Sequence, residues 1–147
     1  MPRRELLSAA QREELLTFPT DERSLMRHYT LSSKDLSIIR QHRSDQNRLG
    51  FAVQLCSLRF PGQALQVDES PPPPLVSFLA SQLQVPLSSW DSYARRDQTR
   101  REHLQELQTL YGYKPFTLST YRTLAAWLFP LAFQTNKGMI LITQLLE

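Results

Sequence analysis

The 147-residue chain holds one cysteine, Cys56. No disulfide can form within it, and the apolar run around Leu55 and Leu58 marks Cys56 as plain core in a cytosolic setting. Glycine is also scarce, with four in all. Apolar residues recur at three- and four-residue intervals without the sustained alternation of strands, which predicts an all-α class. Long apolar runs are missing: "LAAWLFPLAF" (124–133) falls far short of the ~20 residues of a membrane span and contains Pro130. At the front, "MPRRELLSAAQREELL" has two arginines, but Glu5, Arg12, Glu13 and Glu14 interrupt any apolar core of a signal peptide.

Catalytic signatures are absent as well. His28, His42 and His103 are far apart on charged helices without cysteine or carboxylate partners at ligand spacing, so they read as surface or capping histidines, and no metal site is expected. There is no Gly-rich phosphate loop, nucleophile elbow or paired-carboxylate motif. An enzyme is disfavoured and no cofactor is expected.

What remains is helical sequence with clear punctuation. Ser8 and Gln11 form a capping box ahead of a helix over about 9–17. Thr20 is read as the next cap, with Asp21 and Glu22 at the positive end of a helix closing near Tyr29. Ser32 or Ser33 caps a third helix, over about 33–42. A fourth runs from near Asp45 to the Pro61-Gly62 breaker. Gly50 inside it points to close helix packing or close approach of a ligand, with packing favoured.

The stretch 63–74 ends in four prolines and is read as a stiff spacer, since the arginine that usually docks a proline-rich ligand is missing beside it. Two small helical lobes are therefore expected, 1–62 and 75–147. The second contains "LVSFLASQLQ", a short helix capped by Ser88 or Ser89, and a helix over 97–110 closed by Gly112. In that helix Leu104, Leu107, Leu110 and Tyr111 are placed inward and Arg96, Arg100 and Glu106 outward. A Thr117-capped helix follows, bent or ended by Pro130. The last helix meets no stop signal, as if the lobe were cut within it.

Charge is unevenly placed. The formal net charge is +3, yet between Arg23 and Arg59 seven basic residues face two acidic ones, and between Arg95 and Arg122 six face three. Each zone holds two helices joined by a turn, as helix-turn-helix proteins do, the second helix presenting its first residues to base edges. In the first zone Arg40, Arg43, Gln46, Asn47 and Arg48 would lead into a groove, where Asn and Gln suit adenine and Arg suits guanine. In the second, Lys114, Ser119, Thr120 and Arg122 occupy the matching place, while Arg95, Arg96, Arg100 and Arg101 suit phosphates. The competing reading is ordinary capping chemistry and solvated faces.

The blocks "RHYTLSSKDLSIIRQHRSDQNRLGFAVQLCSLRFPG" and "RRDQTRREHLQELQTLYGYKPFT" closely resemble the N-terminal region of TnpA-type replicative transposases of the Tn-three family, a domain of unknown function in front of a larger enzyme. The resemblance extends over essentially the whole chain. It implies a bacterial, nucleoid-associated module that recognises the terminal inverted repeats of a transposon in double-stranded DNA. It also implies a metal-dependent acidic-triad active site far downstream, outside this chain. Implied partners are the repeats and the remainder of a transposase or its dimer. The alternative is a helical protein-interaction module contacting or inhibiting a full-length transposase, with an apolar patch along Leu141, Leu145 and Leu146.

Overall fold

The computed structural model describes residues 7–66, 69–135 and 137–146, with the side chains of Leu145 and Leu146 outside the described residues. The described residues form helices only, without a strand. In chain order these are α1 (Ala9–Leu16), α2 (Glu22–Tyr29), α3 (Ser33–Ile39), α4 (Asp45–Arg59), α5 (Pro73–Leu83), α6 (Ser89–Ala94), α7 (Asp97–Tyr111), α8 (Leu118–Ala132) and α9 (Gly138–Leu146). None is long and apolar enough to cross a membrane.

Local chemistry explains most helix ends. Ser8 and Gln11 form the reciprocal capping box of α1, and Thr117 and Thr120 that of α8. Asp21 caps α2 in place of Thr20, because its carboxylate reaches the Ser24 N–H at 3.0 Å. The third helix is shorter than the periodicity suggests. Gln41 and His42 donate to the carbonyls three residues back, Ile38 and Ile39, so the chain tightens into a turn after Ile39. Gly112, at φ 70°, ends α7 in the left-handed conformation that glycine adopts freely.

The proline run is only partly a spacer. Pro73 and Pro74 form the first turn of α5, where a missing N–H costs no hydrogen bond, and Pro71 is buried.

The chain divides into two compact units, one of residues 18–112 and one combining the segments before residue 18 and after residue 112. The division thus falls at Thr17 and Gly112, and the helices on either side of the prolines belong to one unit. The reason is α4, against which α2, α3, α5, α6 and α7 all pack. Nine successive residues, Leu49 to Ser57, are buried, so this helix has no free face over that length. The Tyr93 ring of α6 occupies the place where a Cβ on Gly50 would stand, which is the close helix packing expected there. Tyr29 seals the other end by donating to the Phe60 carbonyl at 2.8 Å, and Gln82 of α5 bridges the end of α2 through the Tyr29 carbonyl and the Leu31 N–H.

Several polar groups inside the unit are paired. Asp35 of α3 accepts both guanidinium nitrogens of Arg59 (2.8 and 2.6 Å), the Tyr111 hydroxyl at 2.8 Å and the Ser32 N–H at 2.8 Å. Burial raises the Asp35 pKa, but these bonds outweigh it and hold the carboxyl well below the usual range. One carboxylate therefore ties α3, α4 and α7 together.

In the other unit α8 and α9 pack together, and Gly138 is the one buried residue among those described. The α8 helix continues past Pro130 to Ala132, although the proline ring leaves the Ala126 carbonyl without its helical partner.

Candidate nucleic-acid interface

The turn between α3 and α4, residues 40–44, is held from inside. Ser44 caps α4 through the Asn47 N–H at 3.3 Å, and the Arg48 Nε donates to the His42 carbonyl at 2.8 Å. Arg48 also lies 3.6 Å from Asp45, so its guanidinium is folded back onto the turn. Asn47 is half-buried, and its Oδ1 is a buried acceptor without a hydrogen-bond partner. Gln46 is half-buried at the rim. Arg40 and Arg43 are exposed and make no ion pair among the described residues.

Beneath the turn lies a cluster that the sequence reading placed at the surface. The His42 ring is 4.4 Å from Phe51 and 4.6 Å from His103, centroid to centroid. His103 is only 5% exposed, and its Nδ1 lies 3.0 Å from the Tyr93 hydroxyl. Gln54 donates both to that hydroxyl and to the Arg100 carbonyl. The surface or capping role expected for His42 and His103 is therefore corrected. Burial lowers both pKa values, that of His103 to about 4 with the neighbouring His42 as a second cause. His28 is partly buried and stacks on Phe60 at 4.2 Å.

These contacts run α7 antiparallel beside α4: His42 meets Glu106, Phe51 meets His103 and Gln54 meets Arg100. The first turn of α4 therefore lies toward the C-terminal half of α7, and Arg95 and Arg96 lie toward the other end. The eight-residue offset from position 46 to position 54 corresponds to about 12 Å along the helix axis. An open cavity of about 440 Å³ beside the turn is lined by Gln41, Glu102, Gln105, Glu106, Thr109 and Leu110. Its two carboxylates repel phosphate.

At the start of α7, Arg95, Arg96 and Arg101 are exposed. Arg100 is not: it is 6% exposed and donates to the carbonyls of Gln66 (2.7 Å) and Ala94 (3.4 Å). The inward stripe of α7 is Arg100, His103 and Leu107, while Leu110, expected inward, is largely exposed. Arginine was assigned outward by charge alone, but carbonyl acceptors satisfy its donors inside.

The second expected pair is not a pair in one unit, since α7 belongs to residues 18–112 and α8 does not. Lys114, Ser119 and Arg122 are exposed. The Thr120 hydroxyl is engaged in the α8 cap and donates to the Pro115 carbonyl at 3.1 Å.

The family described as "Domain of unknown function (DUF4158)" matches residues 6–147. The chain is 57% identical over 147 residues to the transposase for transposon Tn3926 of Escherichia coli, and 52% identical over 147 residues to the transposase for transposon Tn501 of Pseudomonas aeruginosa. Each match covers 100% of this chain and 15% of the relative. A third relative, the transposase for transposon Tn21 of Escherichia coli, is 57% identical over 146 residues, covering 99% of the chain and 15% of the relative. The chain thus spans about 15% of the length of these curated relatives, at their N-terminal end. It belongs to the DUF4158 family and corresponds to the N-terminal part of Tn3-family transposases.

Proposed function

We propose that the chain is the DNA-binding front of a transposase, directed to the terminal inverted repeats of its transposon. The observation that carries this reading is the set of exposed arginines in the unit of residues 18–112: Arg40 and Arg43 at the α3–α4 turn, and Arg95, Arg96 and Arg101 at the start of α7. Guanidinium groups that no carboxylate among the described residues holds are suited to phosphate oxygens. Base reading is assigned to the first turn of α4 through half-buried Gln46; Asn47, whose Oδ1 is buried, is not assigned a base contact. Arg48 positions the turn, and Arg100 is part of the interior, so neither is assigned a contact with DNA. Lys114, Ser119 and Arg122 remain candidates for backbone contacts from the other unit. Among the described residues no group of three or more His, Cys, Asp and Glu could hold a metal ion. The acidic-triad chemistry of the family is assigned to the part of the relatives beyond the matched stretch.

The test is fluorescence anisotropy of the chain with a duplex carrying the terminal repeat of transposon Tn3926 and with a shuffled duplex, over a range of salt. Five phosphate contacts correspond to a slope of log K against log salt of about −4.5. Preference for the repeat together with such a slope is the expected result. No binding at low salt overturns the reading.

A second reading, a helical protein-interaction module, is favoured by the exposed apolar side chains of α8.

A further inference from the structure

The α8 helix carries two apolar stripes. Thr120, Leu124, Leu128 and Leu131 form one and are half-buried. Leu118, Tyr121, Ala125, Phe129 and Phe133 follow one another at three- and four-residue spacing on a different face. On that face Leu118 is 67% exposed, Tyr121 55%, Phe129 65% and Phe133 78%. The Phe129 and Phe133 rings meet edge to face at 5.0 Å, joining into one aromatic surface. A helix that is apolar on both faces is stable when both are covered. The described residues of its own unit do not supply the cover, Gly138 being the one among them that is buried. Units below about 70 residues rarely hold enough core to stand without such help.

We propose that this face of α8 is a docking surface for the apolar side of a helix from the polypeptide that, in the transposase relatives, follows the matched stretch. The inference rests on the reading of the chain as the front of a transposase. Arg122 is the one charge on this face and stands at its N-terminal half; the Phe129–Phe133 end bears none, so it matches the apolar side of an amphipathic helix rather than phosphate or an acidic peptide. The matched stretch is 15% of the relatives, so most of their polypeptide is available as a source of that helix. A segment tethered to α9 meets α8 at an effective concentration in the millimolar range, which a free second copy does not reach in dilute solution.

Hydrogen exchange tests the assignment. The 147-residue chain is compared with a chimera in which it replaces the matching residues of the transposase for transposon Tn3926. Exchange of α8 amides is expected to slow at least ten-fold in the chimera, and Phe129→Glu is expected to restore the fast rate while α4 exchange stays unchanged. Phe129→Ser serves as a second, uncharged variant. Equal α8 exchange in chain and chimera overturns the proposal. So does protection insensitive to both substitutions, or protection of the isolated chain that grows with its concentration, the mark of a second copy. Duplex binding read with Arg43→Ala reports on the α3–α4 turn, which lies outside α8 and its Phe129–Phe133 end, so failure of one reading leaves the other standing.

Discussion

His103 connects three helices through one ring, and its titration is readable. Its pKa of about 4 lies below the ordinary 6.5, so the folded chain keeps it neutral where the unfolded chain takes up a proton. Stability is therefore full above pH 6.5, falls between 6.5 and 4, and levels off below, with His103 contributing up to ~3 kcal/mol. Urea midpoints at pH 7 and pH 5, followed by Trp90 emission in a Trp127→Phe background, should show this loss. His103→Asn should flatten it at some cost at pH 7. Asp35 acts at lower pH: its depressed pKa gives stability that is present above the usual carboxylate range and lost as pH falls through the folded value. Removing its partner with Arg59→Leu leaves a buried carboxylate facing only hydroxyl and amide donors, and should cost about 3 kcal/mol in urea unfolding. Neither His103 nor Asp35 was legible as interior. Charge and histidine content point outward by default, and the carbonyls and hydroxyls that satisfy them come from segments distant in sequence.

Helix class and the capping residues Ser8 and Thr117 were readable, and Ser32 as one of the pair Ser32 or Ser33, since a cap is decided within four residues. Faces were less so. The periodicity of α7 admits two overlapping inward stripes that share Leu107, and contact with Gln54 and Tyr93 selects the one that contains Arg100. The α4 helix was read as mostly buried, with Gly50 as a packing glycine, and both hold. Gly50→Leu should push Tyr93 aside and destabilise by about 3 kcal/mol or more, whereas Ser119→Ala on exposed α8 should change the midpoint little. Arg43→Ala should weaken every duplex alike and reduce the salt slope by about one, while Gln46→Ala should alter preference at one base pair by about 1–3 kcal/mol. Anisotropy on matched and single-mismatch duplexes separates the two effects. Equal, sequence-independent losses from both would remove α4 from base reading.

At the scale of the whole chain the proline run looked like a boundary because composition changes there. The boundary lies instead where apolar cover by α4 ends, a property that composition does not carry. Trp90 belongs to one unit and Trp127 to the other, so each unit has its own fluorescent reporter. Thermal unfolding followed in Trp90→Phe and Trp127→Phe variants should give two different midpoints, the lower for Trp127, whose unit has little described core. A fragment of residues 18–112 should keep the Trp90 transition. The central helix has one more consequence. From Leu49 onward nearly every substitution disturbs packing on some side, but exposed Arg43 in the preceding turn and Gln46 in the first turn of α4 sit outside that constraint. On the proposed reading, a drift in the sequence of a transposon's ends can be followed at position 46 without destabilising the fold, so recognition can evolve faster than the scaffold that presents it.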